Sequence, residues 1–101
     1  MDNKETCPCR HKAKERDAAT LRSLQNRLSR IIGQLGGIQK MLDDNRYCGD
    51  ILIQTAAAER ALQGFSYLVL QEHLETCVAD ELSKGNTAIV AEAVELIKKL
   101  K

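Results

Sequence analysis

The chain has no tryptophan, two tyrosines and one phenylalanine among 101 residues. So few aromatics leave Leu, Ile, Val and Ala to fill a core, a palette that suits interlocking helices better than a sandwich or barrel. Its one proline is Pro8, so no proline interrupts a helix downstream. Uninterrupted apolar runs are only a few residues long, too short for a membrane span. The polar N-terminus lacks the apolar stretch of a secretory leader, and the chain is expected in the cytoplasm. There, the four cysteines are expected to be thiols or metal ligands rather than structural disulfides. A chain of this length makes one domain with a modest core, which favours oligomerisation.

The net charge of +1 neither favours nor excludes nucleic acid, but its distribution is uneven. Residues 1–46 hold ten Lys/Arg against six Asp/Glu, and residues 47–101 hold five against eight. The basic half calls for an anionic partner, or for the acidic half as its complement.

Residues 1–14 are polar and aperiodic and are read as a flexible tail, with residues 15–101 as one domain. Cys7, Cys9 and His11 in the tail are soft-metal donors on a segment without a fold to hold them. Without a metal, the tail is a basic arm.

A first helix is expected from about Asp17 to Met41 or Leu42. Leu21, Leu24, Leu28, Ile31, Leu35, Ile38 and Leu42 alternate spacings of three and four, a heptad seam that packs along its length. Gly33, Gly36 and Gly37 cost this helix about 1 kcal/mol each relative to Ala. They let another backbone approach closely, be it a packed helix or a phosphate chain flanked by Arg22, Arg27, Arg30 and Lys40.

Asp43 to Arg46 form a tight link. A second helix then runs from Tyr47 or Cys48 to Ser83, its apolar residues spread over too broad an arc for a single neighbour. Gly85 marks its stop and Asn86 an N-cap for a short last helix. That helix should turn Ile89, Ala93, Leu96, Ile97 and Leu100 inward. The fold expected is all-α: two long antiparallel helices and a short C-terminal one.

His73 and Cys77 are four residues apart, so a helix presents both on one face. Cys48 lies 25 positions before His73, roughly 37 Å away along one straight helix. Either that helix breaks, or Cys48 of one copy meets His73 and Cys77 of another across a two-fold axis. Two thiolates and an imidazole suit Cu(I), or Zn(II) with a fourth ligand. The spacing alone is more often that of a buried cysteine beside an idle histidine. No serine–histidine–acid pattern or phosphate-gripping glycine loop is present, and no catalysis is expected.

Three blocks, Arg27-Leu-Ser-Arg30-Ile-Ile-Gly33-Gln34-Leu-Gly-Gly37-Ile38, Arg46-Tyr47-Cys48-Gly-Asp50-Ile51-Leu-Ile-Gln54 and Glu72-His73-Leu-Glu-Thr-Cys77-Val78, resemble the copper-sensitive operon repressor family over residues 20 to 100. The resemblance implies antiparallel helical-bundle dimers that pair into a flat tetramer on operator DNA. It implies one Cu(I) per protomer, held by Cys48 of one copy and by His73 and Cys77 of another. Tyr47 and Glu92 match the tyrosine and glutamate that support those ligands. Copper would lower operator affinity and derepress copper-export genes, with a copper chaperone as an expected donor. Arg22, Arg27, Arg30, Gln34 and Lys40 would face the DNA.

Nickel and cobalt sensors of this group resemble a His-rich set, persulfide sensors lack the histidine, and formaldehyde sensors typically lack the second cysteine. Cys48, His73 and Cys77 together fit the copper class. The alternatives are a thiol or persulfide sensor using Cys48 and Cys77, and a copper buffer that binds no DNA. Ser29, Ile32 and Gly36 stand where family members commonly carry charged residues, which leaves fewer charges for DNA.

Overall fold

A computed structural model of the chain describes residues 16–100; the expected tail, with Cys7, Cys9 and His11, lies outside the described residues. All regular structure among them is helical. α1 spans Ala18–Asp43 and α2 spans Cys48–His73. A π-turn, Leu74–Val78, leads directly into α3, Ala79–Ser83, and α4 follows at Ala88–Lys98. α2, the π-turn and α3 succeed one another without a gap, so together they are the expected second helix ending at Ser83. The chain forms two compact units, residues 16–65 and residues 66–100.

In the first unit, α1 closes on a left-handed residue, Asn45, at φ 56°. The Asn45 amide donates to the Leu42 carbonyl at 3.1 Å and the Arg46 amide to the Met41 carbonyl at 2.9 Å. These two bonds satisfy carbonyls that the helix end leaves open, and asparagine tolerates the left-handed turn better than most residues. A link this short makes α1 and the start of α2 antiparallel neighbours. Ile31 and Ala58 are the buried residues of this unit.

The heptad seam divides. Leu24, Ile31 and Ile38 turn at least partly inward, while Leu21, Leu28, Leu35 and Leu42 stay 38–60% exposed. Half the expected seam is therefore covered by the chain itself and half is open. Gly33, Gly36 and Gly37 are open too: a Cβ at any of them would meet nothing within 4 Å. Packing within the described chain does not require these glycines.

In the second unit, α4 lies against the π-turn, and Cys77, Val78, Ile89 and Ala93 form the core. Ile89 is fully buried. Ile89, Ala93 and Leu96 make the inward row of α4, and Leu100, just past its end, is half-buried. Ile97, expected inward, is instead exposed with Val90 and Val94, because spacings of four and three set those three on a neighbouring row. α3 ends at Gly85, φ 88°, where the Gly85 amide donates to Leu82 and the Asn86 amide to Glu81, both at 2.9 Å. Asn86 does not cap α4 as expected. Thr87 occupies that position without a side-chain capping bond, and the Asn86 side chain turns back to Glu81. Among the described residues no helix is long and apolar enough to cross a membrane.

Ile89→Ala should destabilise the protein by about 2–5 kcal/mol, since a fully buried isoleucine leaves a cavity. Gly36→Ala should stabilise it by about 1 kcal/mol, since the methyl meets no neighbour and improves helix propensity. Urea unfolding at one fixed protein concentration checks both; a neutral Ile89→Ala would show that α4 does not hold the core.

Candidate metal centre

His73 closes α2, and Cys77 lies inside the π-turn that follows. No proline or glycine falls between Gln71 and Ser83 to force the irregularity. The Thr76 hydroxyl donates to the Glu72 carbonyl at 2.7 Å, a back-bond of the kind that bends helices. Gln71 Nε2 donates to Glu75 Oε2 at 3.0 Å. These contacts lie on the exposed side of the turn. A π-turn fits one extra residue into the helical path and is often found at functional positions.

On the buried side, the His73 imidazole meets Glu92 from α4. His73 Nε2 and Glu92 Oε1 are 3.7 Å apart, within ion-pair range for a protonated imidazole but beyond hydrogen-bond distance. Both atoms are buried and neither has a hydrogen-bond partner. Two unsatisfied buried polar atoms facing each other are costly. A sub-ångström approach would satisfy both and leave imidazole Nδ1 as the free donor. Cys77 is 8% exposed within the α4 core.

Cys48 and Tyr47 belong to the first unit. Cys48 is the first residue of α2, exposed and with a free thiol. Tyr47 is 74% exposed. Its ring lies over Gly49, where a Cβ would collide with Tyr47 Cε2. Gly49 therefore seats the tyrosine beside the cysteine. Sequence reasoning missed this role; the signal available was a glycine two residues after the tyrosine, in a first helical turn where alanine would cost less. Arg46 and Asp50 form an exposed ion pair across this start, at 3.7 Å.

Helix α2 runs from Cys48 to His73. Among the described residues, no three of His, Cys, Asp and Glu gather closely enough to hold a metal ion. The donor set is soft and fits Cu(I) chemically.

Of the residues expected to face DNA, Arg22, Arg27, Arg30 and Lys40 are exposed on α1. Lys40 is paired with Asp44 at 3.6 Å. Gln34 is half-buried, close to the inward row of α1 rather than on its open side.

Residues 20–99 match the family model of the metal-sensitive transcriptional repressors. The copper-sensing transcriptional repressor CsoR of Bacillus subtilis (strain 168) is 40% identical over 91 residues, covering 88% of this chain and 85% of that protein. Among solved structures, the copper-sensing repressor CsoR with Cu(I) from Geobacillus thermodenitrificans NG80-2 superposes with a TM-score of 0.80 at 37% identity, covering 85% of this chain and 91% of that one. The nickel-responsive transcriptional regulator InrS gives a TM-score of 0.71 at 32% identity, over 90% of this chain and 100% of that one. Helical architecture, sequence blocks and likeness over most of the chain agree: this protein belongs to the metal-sensitive transcriptional repressor family.

Proposed function

We propose that the chain is a Cu(I)-responsive repressor that binds operator DNA without metal and releases it when Cu(I) is bound. The observation that carries this reading is the pairing of His73 with Glu92, one turn from Cys77. Copper-sensing relatives of high coverage support the choice of metal. Cys48 of one copy, with His73 and Cys77 of a second, would hold Cu(I), whose soft character matches two thiolates and an imidazole. Glu92 would accept a hydrogen bond from imidazole Nε2, fixing the tautomer that leaves Nδ1 for the metal. Tyr47, seated on Gly49, would flank Cys48. Because two copies share each site, a homodimer is the smallest competent unit, and two dimers would form the tetramer on DNA. The work is done in the cytoplasm and needs no catalysis.

Arg22, Arg27, Arg30 and Lys40 would meet phosphates, with the open glycines of α1 letting the duplex come close. A switch of this kind needs a coupling of about 1–3 kcal/mol between metal and DNA, equal in both directions. A thiol-responsive repressor is favoured instead by one observation, the exposed free thiol of Cys48; the same fold would then sense oxidant or persulfide.

In fluorescence anisotropy, the reduced, anaerobic protein bound to its upstream DNA should be released by about one Cu(I) per protomer, the number a two-fold shared site requires. His73→Ala should bind DNA normally and lose copper-driven release. Release by a persulfide donor alone would replace the copper reading with the thiol one, and a copper-binding protein with no specific operator would be a buffer. Arg30→Ala should weaken operator binding and lower the log–log salt slope by about 0.9. An unchanged slope and affinity would remove Arg30 from the interface.

A further inference from the structure

Glu81 is the one buried charged side chain among the described residues, at 6% exposure. It stands four residues beyond Cys77, where α3 ends. The close of α3 has the two bonds of a Schellman motif, from Gly85 to Leu82 and from Asn86 to Glu81. In such motifs the side chains at these last two positions commonly touch through an apolar contact. Here that contact is polar: Asn86 Nδ2 donates to Glu81 Oε1 at 2.9 Å. Lys84 Nζ lies 3.9 Å from Glu81 Oε2, and its own side chain is 63% exposed.

An apolar pair would close the same motif without taking a carboxylate out of water. One amide hydrogen bond and one long, exposed ion pair offset little of that cost. The pair does, however, tie Asn86 to the helix twice, by backbone and by side chain. Asn86 is three residues before Ile89, whose amide donates to the Asn86 carbonyl at 3.4 Å. It is six before Glu92. Within residues 66–100, the core joins Cys77 to Ile89, the clasp joins Glu81 to Asn86, and Glu92 faces His73.

We infer that Glu81 is a positioning residue: its clasp on Asn86 sets α4 so that Glu92 faces His73, and thereby sets how strongly metal binding is reported to the DNA-binding state. Glu81 is neither one of the proposed donors nor one of the residues proposed to meet DNA. This role rests on the copper reading above, but its structural half does not.

The test compares Glu81→Ala and Glu81→Gln in the full, reduced chain. Glutamine keeps an oxygen able to accept from Asn86; alanine does not. The first readout is the ¹⁵N spectrum of the His73 ring in the metal-free protein. Glu81→Ala should shift the ring signals toward those of a solvent-exposed imidazole, while Glu81→Gln keeps the wild-type pattern. The second readout is anisotropy with Cu(I) added. Glu81→Ala should require roughly 10-fold more Cu(I) for half-release, the size expected of a lost supporting contact, with metal-free operator affinity unchanged and Glu81→Gln restored.

A Glu81→Ala protein with the wild-type ring pattern and release curve would overturn the inference. So would a Glu81→Gln protein that fails like the alanine variant, because charge rather than the clasp would then be at work. If Glu81→Ala does not fold, Asn86→Ala breaks the same bond from the other side, with the same expected and overturning results. A wild-type protein indifferent to Cu(I) sinks the copper reading alone, since the ring spectrum still decides whether the clasp positions Glu92.

Discussion

The burial of Ile89 against the turn that carries Cys77 is the contact on which the second half of the molecule depends. Without it, α4 has no fixed place, Glu92 has no reason to face His73, and Cys77 loses the cover that keeps it from solvent. One aliphatic side chain thus does for this small unit what a large core does for a bigger domain. Its neighbours, Val78 and Ala93, are small enough to bring backbone close to backbone. The polar groups that matter for chemistry then sit on a frame of short, stiff contacts.

Much of this was legible in the sequence. The three helical stretches followed from periodicity and punctuation, with the first ending at Met41 or Leu42 and the second at Ser83 before Gly85, because spacing and capping are local properties; α1 runs slightly further, to Asp43. The pairing of His73 with Cys77 on one turn followed from the same arithmetic. The partner across from His73 did not: Glu92 lies beyond the Gly85 loop, where helical counting restarts, and only α4's packing brings it near. The π-turn was also hidden. It inserts one residue into the helical path and advances every later side chain by about 100°. The broad apolar arc lies mostly in α2, upstream of this turn.

Two misjudged positions have a common cause. Asn86 was read as an N-cap and Ile97 as core, each from the residue's usual habit. Asn86 found a better acceptor in Glu81, which a local motif cannot reveal because the carboxylate has to be buried first. Ile97 sits one position off the inward row, and a fully helical α4 has room for only one such row. In both cases three-dimensional neighbours overrode a local preference.

The open row of Leu21, Leu28, Leu35 and Leu42 has a consequence for the protein as a quantity. A chain of this size buries little by itself; were a second copy to cover that row, the covering would contribute to folding and the folded fraction would rise with protein concentration. Dilution would then unfold the protein as well as dissociate it. Abundance becomes part of the state of the molecule: a few copies and many copies of the same chain are different materials, even before any ligand arrives.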